Sequence, residues 1–284
     1  MTLSANDAAS PLRARLVVWR AQVARLARGE LGRLLSPLSG FWLYFLAGMP
    51  VLIALGHVIF SRHCSLERDT TVVAVMMHVY FLRMAMFFAC LGVFTRLFRG
   101  EMAGRTLHYL FLAPLRREVL VVGKYVGGVL GVAILFDMGF TATFLLLQLH
   151  HGADGWAYLL HGRGLPALGA YLLTLTLACV GYGAIFLVLG LLLRNPAIPG
   201  LFLLILEIFS GVLPSWMQHL TVIFYLKPLL PVSLPEEGPG ALFSVVVEPV
   251  AGWLAVTGLL VFAGCLVAFS CWRARRLEIN YSTD

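Results

Sequence analysis

The chain has 284 residues, of which 60% are hydrophobic and only 12% are charged, and its mean hydropathy is +0.88. Soluble domains carry about 25% charged residues, so this composition excludes a water-soluble enzyme and an intrinsically disordered chain. The net charge of +7 does not indicate nucleic-acid binding, because no polar domain carries a basic patch interleaved with aromatic residues. The lipid bilayer is therefore the expected environment of most of the surface.

The N-terminal segment, residues 1–37, is expected to be cytoplasmic and to contain an amphipathic helix over residues 12–35. Leucines, valines and Trp19 recur there at helical spacing, and arginines flank or oppose them. Such a helix lies in the membrane interface. The alternative is a mitochondrial presequence or the basic start of a signal peptide, but the next apolar run is too long for the latter. Glu30 falls within the apolar stripe, where a carboxylate facing lipid would be costly, so we expect it to face a partner protein.

Six apolar stretches follow within a predicted transmembrane domain, residues 38–272. Each is long enough for the hydrocarbon core, and each must be helical because lipid cannot satisfy free backbone groups. The fold class is therefore expected to be an all-α integral membrane protein with six transmembrane helices, over residues 38–60, 72–95, 120–147, 166–193, 197–213 and 249–272.

The distribution of basic residues predicts the orientation of these spans. With the N-terminus inside, 16 of the 21 lysines and arginines fall on inner segments and 4 on outer ones, and Arg83 lies within a span. Basic residues collect on the cytoplasmic side. We therefore expect a multi-pass protein of the plasma (inner) membrane with both termini in the cytoplasm, ending in a basic tail over residues 273–284.

The outer segment 214–248 is broken by prolines but apolar over residues 216–230. It is expected to form a re-entrant helical pair between the fifth and sixth spans. A plain amphipathic outer loop is the alternative.

Four ionisable residues stand out inside the predicted spans, where such groups are costly and indicate functional sites by default. Arg83 and Glu207 fall near the middle of their spans, so we predict an intramembrane ion pair, either structural or along a transport pathway. His78 lies about one turn from Arg83, and Asp137 lies in the outer half of the third span.

The remaining residues with ligand chemistry predict no metal or cofactor site. The five cysteines form no CxxC pair and indicate neither a disulfide framework nor a zinc site. The adjacent His150 and His151 would point in different directions on a helix. Gly123, Gly127 and Gly131 form overlapping G-x-x-x-G steps, which predict close helix packing.

The inner coupling loop, residues 96–119, is the most informative polar segment. Between Gly100 and Pro114 it favours a short amphipathic helix over residues 101–112, with Glu101 near its N-terminus. A helix lying across the cytoplasmic ends of two spans offers a surface to a soluble partner. An ordinary loop anchored to lipid head groups is the alternative.

This loop resembles the coupling-helix region of ABC-2 type transporter permeases. Arg105 stands where that family usually has glycine, and the usual acidic cluster is reduced to Glu101. Residues 27–31 and the tail over residues 269–280 are also similar to the family. The matching positions in the loop and the next span are Glu101, Thr106, Leu107, Pro114, Arg117, Gly123 and Lys124.

The resemblance implies a permease subunit that forms a translocation pathway, exports a hydrophobic or amphipathic substrate, and pairs with a second permease chain. The chain has no phosphate-binding loop of its own, so ATP and Mg²⁺ would be bound by a separate ABC ATPase subunit, and this chain would not be an enzyme. The implied ATPase-coupling residues are Glu30, Glu101, Arg105, Thr106, Leu107 and Arg117.

The alternative function is a membrane-embedded lipid-modifying enzyme or a cofactor-carrying membrane protein. A lipid phosphotransferase would need several aspartates to hold Mg²⁺, and a haem protein would need paired histidines. Among the aspartates only Asp137 is intramembrane, and among the histidines only His78 lies clearly inside a predicted span.

Overall fold

The computed structural model describes residues 5–37, 40–60, 65–103, 116–193, 195–210, 213–232 and 251–276, and all secondary structure in these ranges is helical. The predicted all-α fold is thus confirmed for them. The helices are α1 (Ala5–Leu34), α2 (Phe41–Phe60), α3 (Leu66–Val75), a π-helix (Met76–Ala85), α4 (Met86–Ala103), α5 (Arg117–Leu149), α6 (Ala153–His161), α7 (Gly164–Leu192), α8 (Ala197–Ile208), α9 (Ser215–Gln218), α10 (Val222–Leu226), a 3-10 turn (Lys227–Leu229) and α11 (Gly252–Arg275).

Five helices within the described ranges are long and apolar enough to cross a membrane, which fits a multi-pass membrane protein. They are Phe41–Phe60, Leu66–Phe98, Arg117–Leu149, Gly164–Leu192 and Gly252–Arg275. The second of these is one continuous helix built from α3, the π-helix and part of α4.

The fifth predicted span, residues 197–213, is shorter than expected. Its helix, α8, has 12 residues and is about 18 Å long, whereas the hydrocarbon core is about 30 Å thick. Gly211 and Pro214 follow soon after the helix, and these residue types are strong helix breakers. Within the described ranges five of the six predicted spans are long enough to cross a membrane, and a sixth is not confirmed.

Contacts of α5 show in which direction α7 and α11 run relative to it. The α7 helix returns antiparallel to it, since the Tyr125 hydroxyl donates to the Val180 carbonyl (2.8 Å) and the Thr176 hydroxyl donates to Asp137 further along α5. The last turn of α11 lies at the start of α5, where Arg117 meets it. The chain between α7 and α11 therefore runs from one end of the bundle to the other, and α8 covers only part of that distance.

The short helices after α8 pack into the bundle. Val222, Ile223 and Leu226 of α10 are buried, and Val222 lies against Gly181 of α7, where a Cβ would be 2.9 Å from its side chain. Residues 233–250 lie outside the described part of the chain, so the predicted re-entrant pair stays a prediction.

Helices α1 and α2 lie one after the other along α5. The predicted close packing at the α5 glycines is confirmed, but the partner is α1 rather than another spanning helix. Further along α5, Gly139 lies against Ala47 of α2. A Cβ added to the α5 glycines would meet α1 at 2.7–2.8 Å, with Gly123 against Leu26, Gly127 against Ala27 and Glu30, and Gly131 against Leu34. The C-terminal part of the N-terminal helix, around residues 26–34, therefore packs against a spanning helix, and the predicted position of the whole helix in the membrane interface stays a prediction.

Candidate functional site

One polar cluster, here called the junction, lies where α1, α4 and α5 meet and consists of Glu30, Arg33, Leu97 and Lys124. The Lys124 ammonium lies 3.3 Å from Glu30 Oε1 and donates to the carbonyl of Leu97 at 2.8 Å. Arg33, one turn further along α1, lies 2.8 Å from Glu30 Oε2. Lys124 is 2% exposed and the Glu30 side chain 9%, whereas Arg33 is 46% exposed.

Local sequence explains why these groups can meet. Gly123 directly precedes Lys124, and Gly127 follows it by almost one turn of α5. Because these glycines lack Cβ atoms, the backbone of α1 can approach α5 closely. The Lys124 side chain then enters the contact between the helices, and the ring of Phe98 lies 5.4 Å from its nitrogen. A buried charge is retained in proteins when it is paired and hydrogen-bonded, and Lys124 has both kinds of contact.

The junction brackets the inner loop. Leu97 lies at the end of the second spanning helix, and Lys124 lies in the second turn of α5. Both ends of the loop over residues 96–119 are thus connected to α1 through one buried side chain. The ion pair brings together Glu30 and Lys124, two positions that the resemblance to the permease family singled out independently.

Most of the predicted coupling helix lies outside the described residues. The structure continues α4 through Gly100 to Ala103, so the expected break at Gly100 before a separate helix is absent. Glu101 lies in this last turn of α4. Arg105, Thr106 and Leu107 lie outside the described residues, and their coupling role stays a prediction.

Two of the predicted coupling residues contact their own chain. Glu30 faces Lys124 inside the protein, whereas the sequence led us to expect a partner subunit. Arg117 donates to the carbonyls of Ala274 (3.4 Å) and Arg275 (3.0 Å) at the C-terminal end of α11, where a cation is favoured by the helix dipole. These contacts connect α5 to both terminal helices of the bundle.

A second polar cluster lies inside the bundle and consists of Arg83, Tyr182 and Glu207. Arg83 is 2% exposed and Glu207 is 4% exposed. The Arg83 side chain interacts electrostatically with both Glu207 and Tyr182. Neither charge faces outward, as its cost in lipid requires.

The closest partners of Glu207 are backbone groups that the sequence did not suggest. Its carboxylate accepts hydrogen bonds from the N–H groups of Val222 (2.7 Å) and Ile223 (3.2 Å). These N–H groups are at the first turn of α10, where helices leave donors unsatisfied and favour an anion. Glu207 therefore holds the short helix α10 against α8, whatever the contribution of Arg83. The predicted ion pair of Arg83 and Glu207 stays a prediction.

Arg83 lies on an unusual stretch of backbone. Met76–Ala85 forms a π-helix, whose hydrogen bonds join residues five apart. His78 and Arg83 are therefore stacked on one face of it, and the His78 Nδ1 atom lies 2.9 Å from the carbonyl of Ala74. Such helices are rare and frequently found at functional sites.

Lys227 adds a further cationic group near this cluster, outside the five spanning helices. Burial, and to a smaller extent the charge of Arg83, lowers the pKa of Lys227 to about 8.

Asp137 is separate from both clusters. It is half-buried between α5 and α7, where the Thr176 hydroxyl donates to its Oδ2 at 3.1 Å. Its Oδ1 is buried without a hydrogen-bond partner within the described residues.

The sequence analysis missed a third cluster, at the end of the bundle opposite the junction. The fully buried carboxylate of Asp69 is surrounded there by His57, His150 and His151. The sequence did contain a signal, because Ser65 followed by acidic Glu67 and Asp69 is typical of a helix start. The helix begins at Leu66, six residues before the predicted start of the second span. The two adjacent histidines were expected to point apart on a helix. Because α5 ends at Leu149, their ring centroids lie only 3.9 Å apart.

Comparison with known proteins does not classify the chain. No family model matches it, and no curated protein is significantly similar to it in sequence.

Proposed function

We propose that this chain is the membrane-spanning subunit of an ABC-2 type exporter in the plasma membrane, with both termini in the cytoplasm. It would form the translocation pathway and couple it to ATP hydrolysis by a separate nucleotide-binding subunit. The observation that supports this most is the junction, because Glu30 and Lys124, which belong to different family-like motifs, form one buried ion pair.

The junction suits mechanical coupling. A subunit that pushes on the inner loop moves Leu97 and Lys124 at the loop's two ends. Since Lys124 also binds Glu30, α1, α4 and α5 would move as one body, which is how small shifts at an interface become rigid-body rotations. Arg117 extends the same body to the end of α11.

The cluster of Arg83, Tyr182 and Glu207 is the best candidate for part of the pathway. Ionisable groups inside a membrane protein mark substrate routes or structural pairs. Within the described residues they adjoin the short helices α8 and α10, and broken helices line binding sites in other transporters. We propose a hydrophobic or amphipathic substrate that is drawn from the bilayer.

The proposal is tested by co-expressing the chain with an ATPase subunit encoded beside it. The affinity between the two and the ATPase rate in nanodiscs are the readouts. Glu101→Arg is expected to weaken binding at least tenfold, since reversing an interface charge replaces attraction with repulsion. Asp154→Arg makes the same charge change at an exposed residue of α6, near the opposite end of the bundle, and should leave affinity unchanged.

Two results would contradict the proposal. One is a wild-type chain that binds no such ATPase subunit and does not alter its ATPase rate. The other is a Glu101→Arg variant with the same affinity and the same stimulation as Asp154→Arg.

A further inference from the structure

We infer that Asp69, His150 and His151 form a binding site for a divalent transition-metal ion of the Zn²⁺ type. This site lies at the end of the bundle opposite the junction and does not depend on the proposed transport function. The three side chains already converge: one ligand atom from each residue lies within 4.8 Å of the ligand atoms of the other two.

The distances are those of ligands around one ion. The Nε2 atoms of His151 and His150 lie 3.0 and 3.4 Å from Asp69 Oδ2. With Zn–N and Zn–O bonds of about 2.0–2.1 Å, neighbouring ligand atoms of a tetrahedral site are about 3.3 Å apart. A small movement of the side chains would therefore bring all three atoms to bonding distance of a shared ion.

The orientation of the His150 ring suits a metal ligand. Its Nδ1 atom lies 2.9 Å from the carbonyl of Leu147, so Nδ1 must carry the proton to make that bond. In the neutral ring Nε2 then has only a lone pair, and this lone pair faces the lone pairs of Asp69. A cation bound between the two groups removes this repulsion. An imidazole whose other nitrogen donates to a carbonyl is also the usual second shell of a metal-bound histidine.

His57 acts on the carboxylate from its other side. Its Nε2 atom lies 3.0 Å from Asp69 Oδ1, the oxygen that the other two histidines do not contact. Ligating carboxylates are typically held by such a hydrogen bond. His57 is therefore a positioning residue, and Asp69, His150 and His151 are the three ligands.

Access and charge also fit a metal ion. Asp69 is fully buried, whereas the His150 and His151 side chains are 17% and 13% exposed, so the imidazoles form a rim through which an ion can enter. One carboxylate and two neutral imidazoles are preferred ligands of Zn²⁺, and imidazole also suits Cu²⁺ and Ni²⁺. Three protein ligands leave the fourth position open, as in exchangeable and catalytic sites.

A metal ion at this site would connect the ends of three helices, α2, α3 and α5. His57 belongs to the last turn of α2, Asp69 to the first turns of α3, and the other two follow α5. A bound ion would therefore hold the ends of these helices in one arrangement. In the proposed topology this end faces the exterior, so the ion would come from outside the cell.

The experiment uses the full chain, purified through a tag without histidine, stripped with EDTA and placed in nanodiscs. Co²⁺ is titrated while its visible d–d absorption is recorded, and Zn²⁺ is then added in competition. We expect one Co²⁺ per chain with the intense bands of a four-coordinate ion, displaced by one equivalent of Zn²⁺. Asp69→Asn and His151→Ala should each weaken binding more than about 100-fold, and His57→Ala about 10- to 100-fold with unchanged stoichiometry.

His161→Ala is the matched control, because His161 is an exposed histidine at the end of α6, close in sequence but outside the cluster. It should bind Co²⁺ like the wild type. The wild-type spectrum alone decides the case if the ligand variants fail to fold. Absence of saturable binding, a weak six-coordinate spectrum, or unchanged affinity in folded His151→Ala would overturn the inference and leave the cluster as a set of imidazole–carboxylate hydrogen bonds.

Discussion

The ion pair of Glu30 and Lys124 should stabilise the protein and show strong coupling between its two partners. Lys124→Met removes a buried ammonium that contacts Glu30 at 3.3 Å and the Leu97 carbonyl at 2.8 Å. Removing one partner of a buried pair costs about 3–5 kcal/mol. Because Arg33 remains 2.8 Å from Glu30, we expect the lower end, about 3 kcal/mol.

Glu30→Gln should cost less than Lys124→Met. Lys124 keeps its bond to Leu97, and the amide oxygen of glutamine can still accept a hydrogen bond, so we expect a loss of about 2 kcal/mol. The double variant leaves no buried charge without its partner at this contact. The free energy of unfolding of the double variant should fall by about 3 kcal/mol, whereas the losses of the two single variants add to about 5 kcal/mol. The difference is a coupling energy of about 2 kcal/mol.

The assay is equilibrium unfolding in mixed micelles containing an increasing fraction of denaturing detergent, read by circular dichroism. Glu118→Gln is the matched control, because Glu118 lies on the same helix as Lys124 and pairs with Arg275 of α11, with side chains 31% and 62% exposed. The free energy of unfolding should fall clearly less in this variant than in Lys124→Met. Losses that add to within about 0.5 kcal/mol, or a Lys124→Met variant no less stable than Glu118→Gln, would refute the assigned role of the junction.

Two further predictions concern helix packing and the buried carboxylate. Gly127→Ala places a methyl group 2.7 Å from the Ala27 carbonyl oxygen and should destabilise the protein by about 1–3 kcal/mol. Gly264→Ala is the control, because its methyl group meets nothing within 4 Å, and it should be neutral or slightly stabilising. Equal unfolding midpoints of the two variants would contradict this prediction. Glu207→Leu should be less stable than Glu207→Gln by about 2 kcal/mol, because leucine leaves the N–H groups of α10 without an acceptor. If both Glu207 variants unfold at the same detergent fraction, these hydrogen bonds do not hold α10 in place.

Composition and periodicity alone determine the class of this protein. An apolar run of about 20 residues in a chain with few charges leaves a membrane helix as the only stable solution, and five of the six predicted spans correspond to long helices. The glycine steps on α5 likewise predict close packing, because the absence of a side chain is a local property of the sequence. Which helix fills that space is not local, and the structure assigns it to α1.

Contacts between distant residues account for what the sequence did not predict. His151 lies 82 residues from Asp69, so no periodicity relates them, and only the folding of α2, α3 and α5 against each other brings four polar side chains to one point. The same holds for Glu30 and Lys124. Each was recognisable as a costly or family-like residue, but their pairing follows from the parallel course of α1 along α5.

The fifth span shows where hydropathy misleads. Residues 197–213 are mainly apolar, with Glu207 and Ser210 as the polar exceptions, and hydropathy measures only transfer into lipid, so the sequence predicted a complete span. The tertiary structure ends the helix at Ile208 and turns the chain so that Glu207 can accept hydrogen bonds from the start of α10. A buried carboxylate needs donors, and here the backbone of a short helix supplies them, which no pattern of apolar residues could have indicated.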